Sequence, residues 1–175
     1  AISFIPATCV SAWELSGTKT IFVTAADGTR TSLGSVDFTP TTDGAATFKI
    51  KLDSAPFGDH FLSMREFKCL QGNTELTCHV PYPHASPRTV KIGNLAWLEH
   101  SLLFFYKLPT DFGAKLWNGI YFELRPTDSG LIGKPQAIDL NLIAAPPANT
   151  NIPPYRSSLR DDMPTGRWIK SLSIE

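Results

Sequence analysis

An all-β, mainly antiparallel fold, either a barrel or a two-sheet sandwich of about 8–10 strands with one or two short helices, is what this 175-residue chain predicts. Three observations carry that expectation. Short runs rich in threonine, valine, phenylalanine and isoleucine alternate with turn signals from Trp13 onward, and helical periodicity is nearly absent. Two Asp-Gly dipeptides, at Asp27-Gly28 and Asp43-Gly44, each sit between such runs, as hairpin turns do. Two cysteines, Cys69 and Cys78, flank a Gly-Asn turn signal at a spacing that places them opposite each other on paired strands.

In chain order, residues 20–24 and 29–36 form the first predicted hairpin, and residues 36–38 and 46–52 the second, both with the type I′ turn that Asp-Gly favours. In the run TFKIKLD, Phe48, Ile50 and Leu52 share one face and Lys49 and Lys51 the other, the alternation of a sheet with one wet side. After a loop at 54–59 comes the stapled hairpin, residues 61–87. With Cys69 facing Cys78, the turn centre falls between Asn73 and Thr74, Gly72 and Glu75 flank it, and Phe67 faces Val80 and Arg65 faces Tyr82. Closing so short a loop removes roughly 2.5–3 kcal/mol of unfolded-state entropy in the chain-entropy account. Pro81, Pro83 and Pro87 end the hairpin because proline cannot donate to a ladder.

Asn94 is placed to cap a short helix through Glu99, a crossover on the sheet with Leu95, Trp97 and Leu98 for its apolar contacts. Residues 102–108 are a continuous apolar run, either a strand buried on both faces or a barrel stave under that helix. Asn118-Gly119 opens a further strand, IYFELR, and a turn at 127–130 joins it to a strand over 131–142 that Gly133 and Pro135 interrupt. Prolines at 146, 147, 153, 154 and 164 make 144–166 an extended surface excursion within a single domain spanning 1–175. The last run, WIKSLSIE, returns to strand chemistry and can close or edge the sheet. The early tryptophan at Ser11-Ala12-Trp13 followed by a meander resembles the lipocalin and calycin barrels in architecture, although the glycine of their Gly-x-Trp motif is absent here. The resemblance implies a barrel and no particular ligand.

Composition narrows the function. A hydrophobic content of 42% supports a real core in one domain, and the net charge of zero comes without any lysine or arginine run. Nucleic acid and anionic membranes therefore find no electrostatic footprint, and no apolar run approaches the roughly 20 residues of a transmembrane helix. Ala1 suits the mature end left by signal-peptide removal, and a Cys69–Cys78 disulfide suits the periplasm or the cell exterior, so a periplasmic or secreted protein is expected. The odd cysteine, Cys9, is then a free thiol or an intermolecular partner.

No linear motif for a serine hydrolase, zinc protease or nucleotide enzyme occurs, and His60, His79, His84 and His100 match no metal-ligand spacing, so neither metal nor cofactor is expected. The candidate ligand-binding residues are polar groups alternating with apolar ones on predicted strands: Arg65 beside Ser63; Tyr121, Glu123 and Arg125; Asp139 and Asn141. Either these are the solvated outside of a sheet whose core face is Ile120, Phe122 and Leu124, or both faces are covered and Arg65, Tyr121, Glu123 and Asp139 form a buried arginine–carboxylate network. The function expected is a non-catalytic exported domain that binds a small molecule or a protein. The alternatives are an enzyme built on the arginine–carboxylate cluster and an accessory component of the cell envelope.

Overall fold

A computed structural model describes residues 12–58 and 67–175. The strands are β1 (Gly17–Ala25), β2 (Arg30–Pro40), β3 (Ala46–Leu52), β4 (Lys68–Gln71), β5 (Leu76–Val80), β6 (Thr89–Val90), β7 (Leu103–Lys107), β8 (Gly119–Pro126), β9 (Leu131–Ile138), β10 (Asp161–Asp162) and β11 (Ile169–Ile174). One short helix, α1 (Ala96–His100), lies between β6 and β7. All the strands join a single sheet in the order β4-β5-β7-β8-β9-β11-β1-β2-β3-β6, with β10 added to β9. The sheet is antiparallel and strongly curled, a half-barrel with the helix packed on it. Curling buries one face as a barrel does, yet two margins remain, β4 at one end and β3 with β6 at the other.

Local chemistry explains the curl. In β2 the register against β1 slips between Ile21 and Phe22, so Leu33 is extra, and the next residue, Gly34, adopts φ 142°. A Cβ on Gly34 would come within 2.1 Å of the Lys51 carbonyl oxygen, so only glycine fits this bulge, and bulges increase local twist. A second slip occurs where Thr24 faces Ser171 and Ala25 faces Ile169, which leaves Lys170 bulged. Strict alternation across 168–174 places Trp168 with Leu172; the bulge instead turns Ile169, Leu172 and Ile174 into the core. The C-terminal strand lies in the middle of the sheet, between β9 and β1, and joins its two halves.

Both Asp-Gly hairpins form, with a different turn from the one expected. Ala25 donates to the Thr29 carbonyl and Thr41 to the Ala45 carbonyl, giving three-residue loops whose last residues, Gly28 and Gly44, are left-handed. A type I′ turn needs positive φ at aspartate too, and among the described residues Arg88 alone of the non-glycines has it. The aspartates act through their carboxylates: Asp27 accepts from the Thr29 N–H at 2.9 Å and Asp43 from the Thr41 hydroxyl at 2.6 Å.

The stapled hairpin has the expected register, with Cys69 facing Cys78 and the Gly72 N–H donating to the Glu75 carbonyl. The two cysteine Cα atoms are 3.9 Å apart and the sulfurs are bonded. Arg65 opposite Tyr82, like Cys9, lies outside the described residues.

Two clusters of buried side chains fill the molecule, and β7 separates them. Phe104 points into the concave side with Ile21, Leu98, Phe122, Leu172 and Ile174, while Leu103 and Phe105 point to the other side with Cys78, Tyr121, Leu140 and Tyr155. Within the apolar run at 102–108, the strand Leu103–Lys107 is thus covered on both faces, while Leu108 is exposed. The outer cover is the chain after β9. The strand expected to reach residue 142 stops at Ile138, and residues 140–143 wind into a 3-10 turn that Asp139 caps. Pro135 falls where β9 changes partner, from β11 at Leu131–Gly133 to β10 at Gln136 and Ala137, so its missing N–H costs the ladder nothing. The proline-rich excursion is anchored on the sheet by Tyr155, which is 2% exposed and whose hydroxyl donates to the Asp139 carbonyl at 2.8 Å.

Candidate functional site

Beyond Phe104 the β7 strand leaves β8, so the β8 edge from Tyr121 onward has no strand partner on that side. The helix fills the gap. Asn94 lies one residue outside the cap position, which Leu95 occupies, and its side-chain oxygen takes only a long 3.4 Å bond from the Ala96 N–H. The helix presents Trp97 and Leu98 to the concave core and turns Glu99 and His100 toward β8. One Glu99 oxygen accepts from the Leu124 N–H at 2.7 Å and the other from the Tyr121 hydroxyl. A carboxylate therefore stands in for the missing strand. Burial holds the Glu99 carboxyl above its ordinary range, against the downward pull of those two donors and of Arg160.

Around this pair most polar groups have partners within the fold, while the Arg160 Nε is buried without one among the described residues. The Arg160 guanidinium stacks 4.6 Å over the Tyr121 ring and donates to Gln136 at 3.0 Å. His100 accepts the Tyr155 N–H on Nε2 at 2.9 Å, so its proton is on Nδ1, which donates to the Ala96 carbonyl at 2.6 Å. Burial pushes this histidine down to about 4, and the accepted N–H keeps it neutral. A cleft of about 250 Å3 opens beside Glu99, Glu123 and Arg160.

The residues predicted from sequence are dispersed about this network. Tyr121 is buried in it. Glu123 is half-buried at the rim of the same cleft and lies 3.4 Å from the exposed Arg125. Asp139 and Asn141 are exposed and bonded to each other in the cap of the 3-10 turn, at 2.8 Å and 2.9 Å, and not on a strand face. Arg65 lies outside the described residues. Two members of the network were not read from sequence, Glu99 and Arg160. The signal for Glu99 was a lone carboxylate in an apolar helical turn; Arg160 sits in a polar excursion where nothing distinguishes it from its neighbours.

A second and larger cleft, about 350 Å3, lies at the open margin of the half-barrel, between β3 and the β4–β5 hairpin. Phe48, Ile50 and Leu52 supply apolar wall from one side; Lys68 and His79, directly opposite each other on β4 and β5, supply the other. Lys49 and Arg88 also border it, and no aspartate or glutamate is among its described lining residues. His79 donates from Nε2 to the Ser101 carbonyl at 3.1 Å, and burial pushes it down to about 4, so it is neutral at physiological pH. The Tyr82 ring packs against Trp97 and His100, and its hydroxyl oxygen is buried without a partner. His84, which also lines this cleft, donates to the Ile143 carbonyl at 2.8 Å.

No known protein family, curated protein or solved structure matches this chain. Among the described residues no group of three His, Cys, Asp or Glu side chains is arranged to hold a metal ion, and no helix is long and apolar enough to cross a membrane.

Proposed function

We propose that this protein is a non-catalytic binding domain whose site is the cationic cleft between β3 and the disulfide-stapled hairpin. The observation that carries this reading is the contrast between the two clefts. At Glu99 both carboxylate oxygens are occupied by groups of the fold, and Arg160 is stacked on Tyr121 and bonded to Gln136 with its Nε left over, so these charges serve to hold the helix on β8. At the open margin Lys68 and Arg88 border the cleft with no carboxylate among its described lining residues, and the Tyr82 hydroxyl has no partner among the described residues. Sites that bind combine an apolar wall with a few unpaired polar groups, and this cleft has both. The ligand is anionic with an apolar body. The disulfide persists in oxidising compartments, which supports a protein that works in the periplasm or outside the cell.

Titration with anilinonaphthalene sulfonate, a small anionic and apolar fluorophore, tests the reading. Fluorescence should rise on binding, and Lys68→Glu or Arg88→Glu should weaken the affinity by about tenfold or more, while Glu123→Gln at the other cleft leaves it unchanged. Equal affinity in all the variants would remove the cleft as the site.

A further inference from the structure

The β3 margin carries more than charge. β3 pairs with β2 along its whole length, but on its outer side it meets β6 only at Ala46 and Thr47, followed by one bond from the Phe48 N–H to the Arg88 carbonyl at 3.1 Å. Hydrogen-bonding direction alternates along a strand. The Phe48 N–H points outward and the Asp53 N–H points inward to the Leu33 carbonyl, so Ile50 and Leu52 turn their N–H and C=O groups away from β2. Among the described residues these groups have no backbone partner, and they face the cleft. At the other bank the outward groups of Cys69 are already bonded, to Gly58 at 2.8 Å and 3.4 Å. Among the described residues the cleft side of the margin thus has a free strand edge on β3.

We propose that an extended, acidic segment of a partner protein adds to this edge as a further strand, bonding the backbone of Ile50 and Leu52. Its alternate apolar side chains enter the cleft against Ile50, Leu52 and His79, and its carboxylates fall on the outer face beside Lys49 and Lys51. This inference rests on the binding reading above and names the occupant. Strand addition draws affinity from main-chain bonds and selectivity from side chains at every second position. Lys49 lies opposite Asp37 on β2, whose carboxylate accepts from the Thr18 hydroxyl, and Lys51 lies opposite the uncharged Ser35. Lysines on an edge discourage pairing with neutral or basic strands, and an acidic strand is the one they favour. Arg88 and Lys68, which also line the cleft, add the same preference.

The test uses the full chain, isotope-labelled, and a synthetic capped peptide of alternating valine and glutamate. On peptide addition the amides of Ile50 and Leu52 should become protected from hydrogen exchange by at least about tenfold, and the affinity should fall with added salt. Lys51→Glu, at an exposed position, should weaken binding by about fivefold or more. A valine–lysine peptide, and a valine–glutamate peptide N-methylated on its bonding edge, should not bind. Peptide-induced shifts at Lys68 and His79 without protection of Ile50 and Leu52 would overturn strand addition while leaving the binding domain intact. Absence of shifts at the cleft with both the peptide and anilinonaphthalene sulfonate would overturn both.

Discussion

Replacing Glu99 by alanine removes the acceptor of two buried donors, the Leu124 N–H and the Tyr121 hydroxyl. Each donor left unsatisfied costs about 1–3 kcal/mol, so the gross loss is about 2–6 kcal/mol. Against this stands the relief of a carboxylate that burial disfavours, the same effect that raises its pKa. The net expectation is a destabilisation of about 2–4 kcal/mol. Glu99→Gln keeps an acceptor for Leu124 and should lose only about 1–2 kcal/mol. Because Tyr121 and Glu99 share one bond, Tyr121→Phe combined with Glu99→Ala should cost clearly less than the sum of the two alone.

Urea unfolding followed by circular dichroism gives these differences as midpoint shifts at constant slope. The pH dependence adds an independent sign. A carboxyl whose folded pKa is raised contributes fully below its unfolded value near 4.5 and loses that contribution as pH rises through the folded pKa. Wild type should therefore lose ground to Glu99→Gln as pH rises above about 4.5. A Glu99→Ala loss below about 1 kcal/mol, additive with Tyr121→Phe, would refute the view that this carboxylate replaces a strand.

Four further outcomes follow from the geometry. Cys69→Ser with Cys78→Ser should cost roughly 2.5–3 kcal/mol, and non-reducing peptide mapping should recover the Cys69–Cys78 pair with Cys9 in neither of its peptides. His79 and His100, both pushed down to about 4 by burial from an unfolded value of 6.5, stay neutral in the fold while the unfolded chain takes up protons. Stability is therefore full above about 6.5 and falls as pH drops through the window, by about 2 kcal/mol per histidine between about pH 7 and about pH 5; urea midpoints across that range, flattened in His79→Gln, check it. Glu123→Ala breaks a pair whose arginine is 70% exposed and should shift the urea midpoint by less than about 0.5 kcal/mol. Arg88→Gly relieves a left-handed residue at φ 51° and should raise stability by up to about 1 kcal/mol in thermal or urea unfolding, whereas Arg88→Val should lower it.

What the sequence made legible was local. Alternation in residues 46–52, the cysteine pair with its turn, and the apolar run at 102–108 each act within one or two neighbouring strands, and each stands where the pattern puts it. Strand order was not legible, because the position of β11 between β9 and β1 depends on pairing across the whole chain. The side of each bulge was hidden too: nothing in WIKSLSIE says that Lys170 is the extra residue. The Glu99 network illustrates a third reason. Its members lie at 99, 121, 124 and 160, and they meet only because β7 and β8 diverge after two pairs of residues and a helix fills the space. Alternation in 121–125 concerns one strand alone, and the partners of Tyr121 come from elements with no pattern of their own.

The margin at β3 stays open for a reason that the backbone displays. Had the β3–β6 ladder continued in register beyond Ala46–Val90 and Thr47–Thr89, Ser86 would face Ile50 and His84 would face Leu52. Arg88 prevents this. A left-handed residue cannot belong to a strand, so the chain turns away from β3 immediately after the last bond, and Pro87 before it confines Ser86 to extended conformations that lead outward along the cleft wall. A non-glycine residue in this region costs on the order of 1 kcal/mol, which the surrounding structure must offset. The cost is borne at the lip of the larger cleft, by a cation, at the point where two strand residues are left with unused hydrogen-bonding groups. Strain, charge and a free edge coincide there, and each is accounted for if that margin is where a ligand completes the sheet.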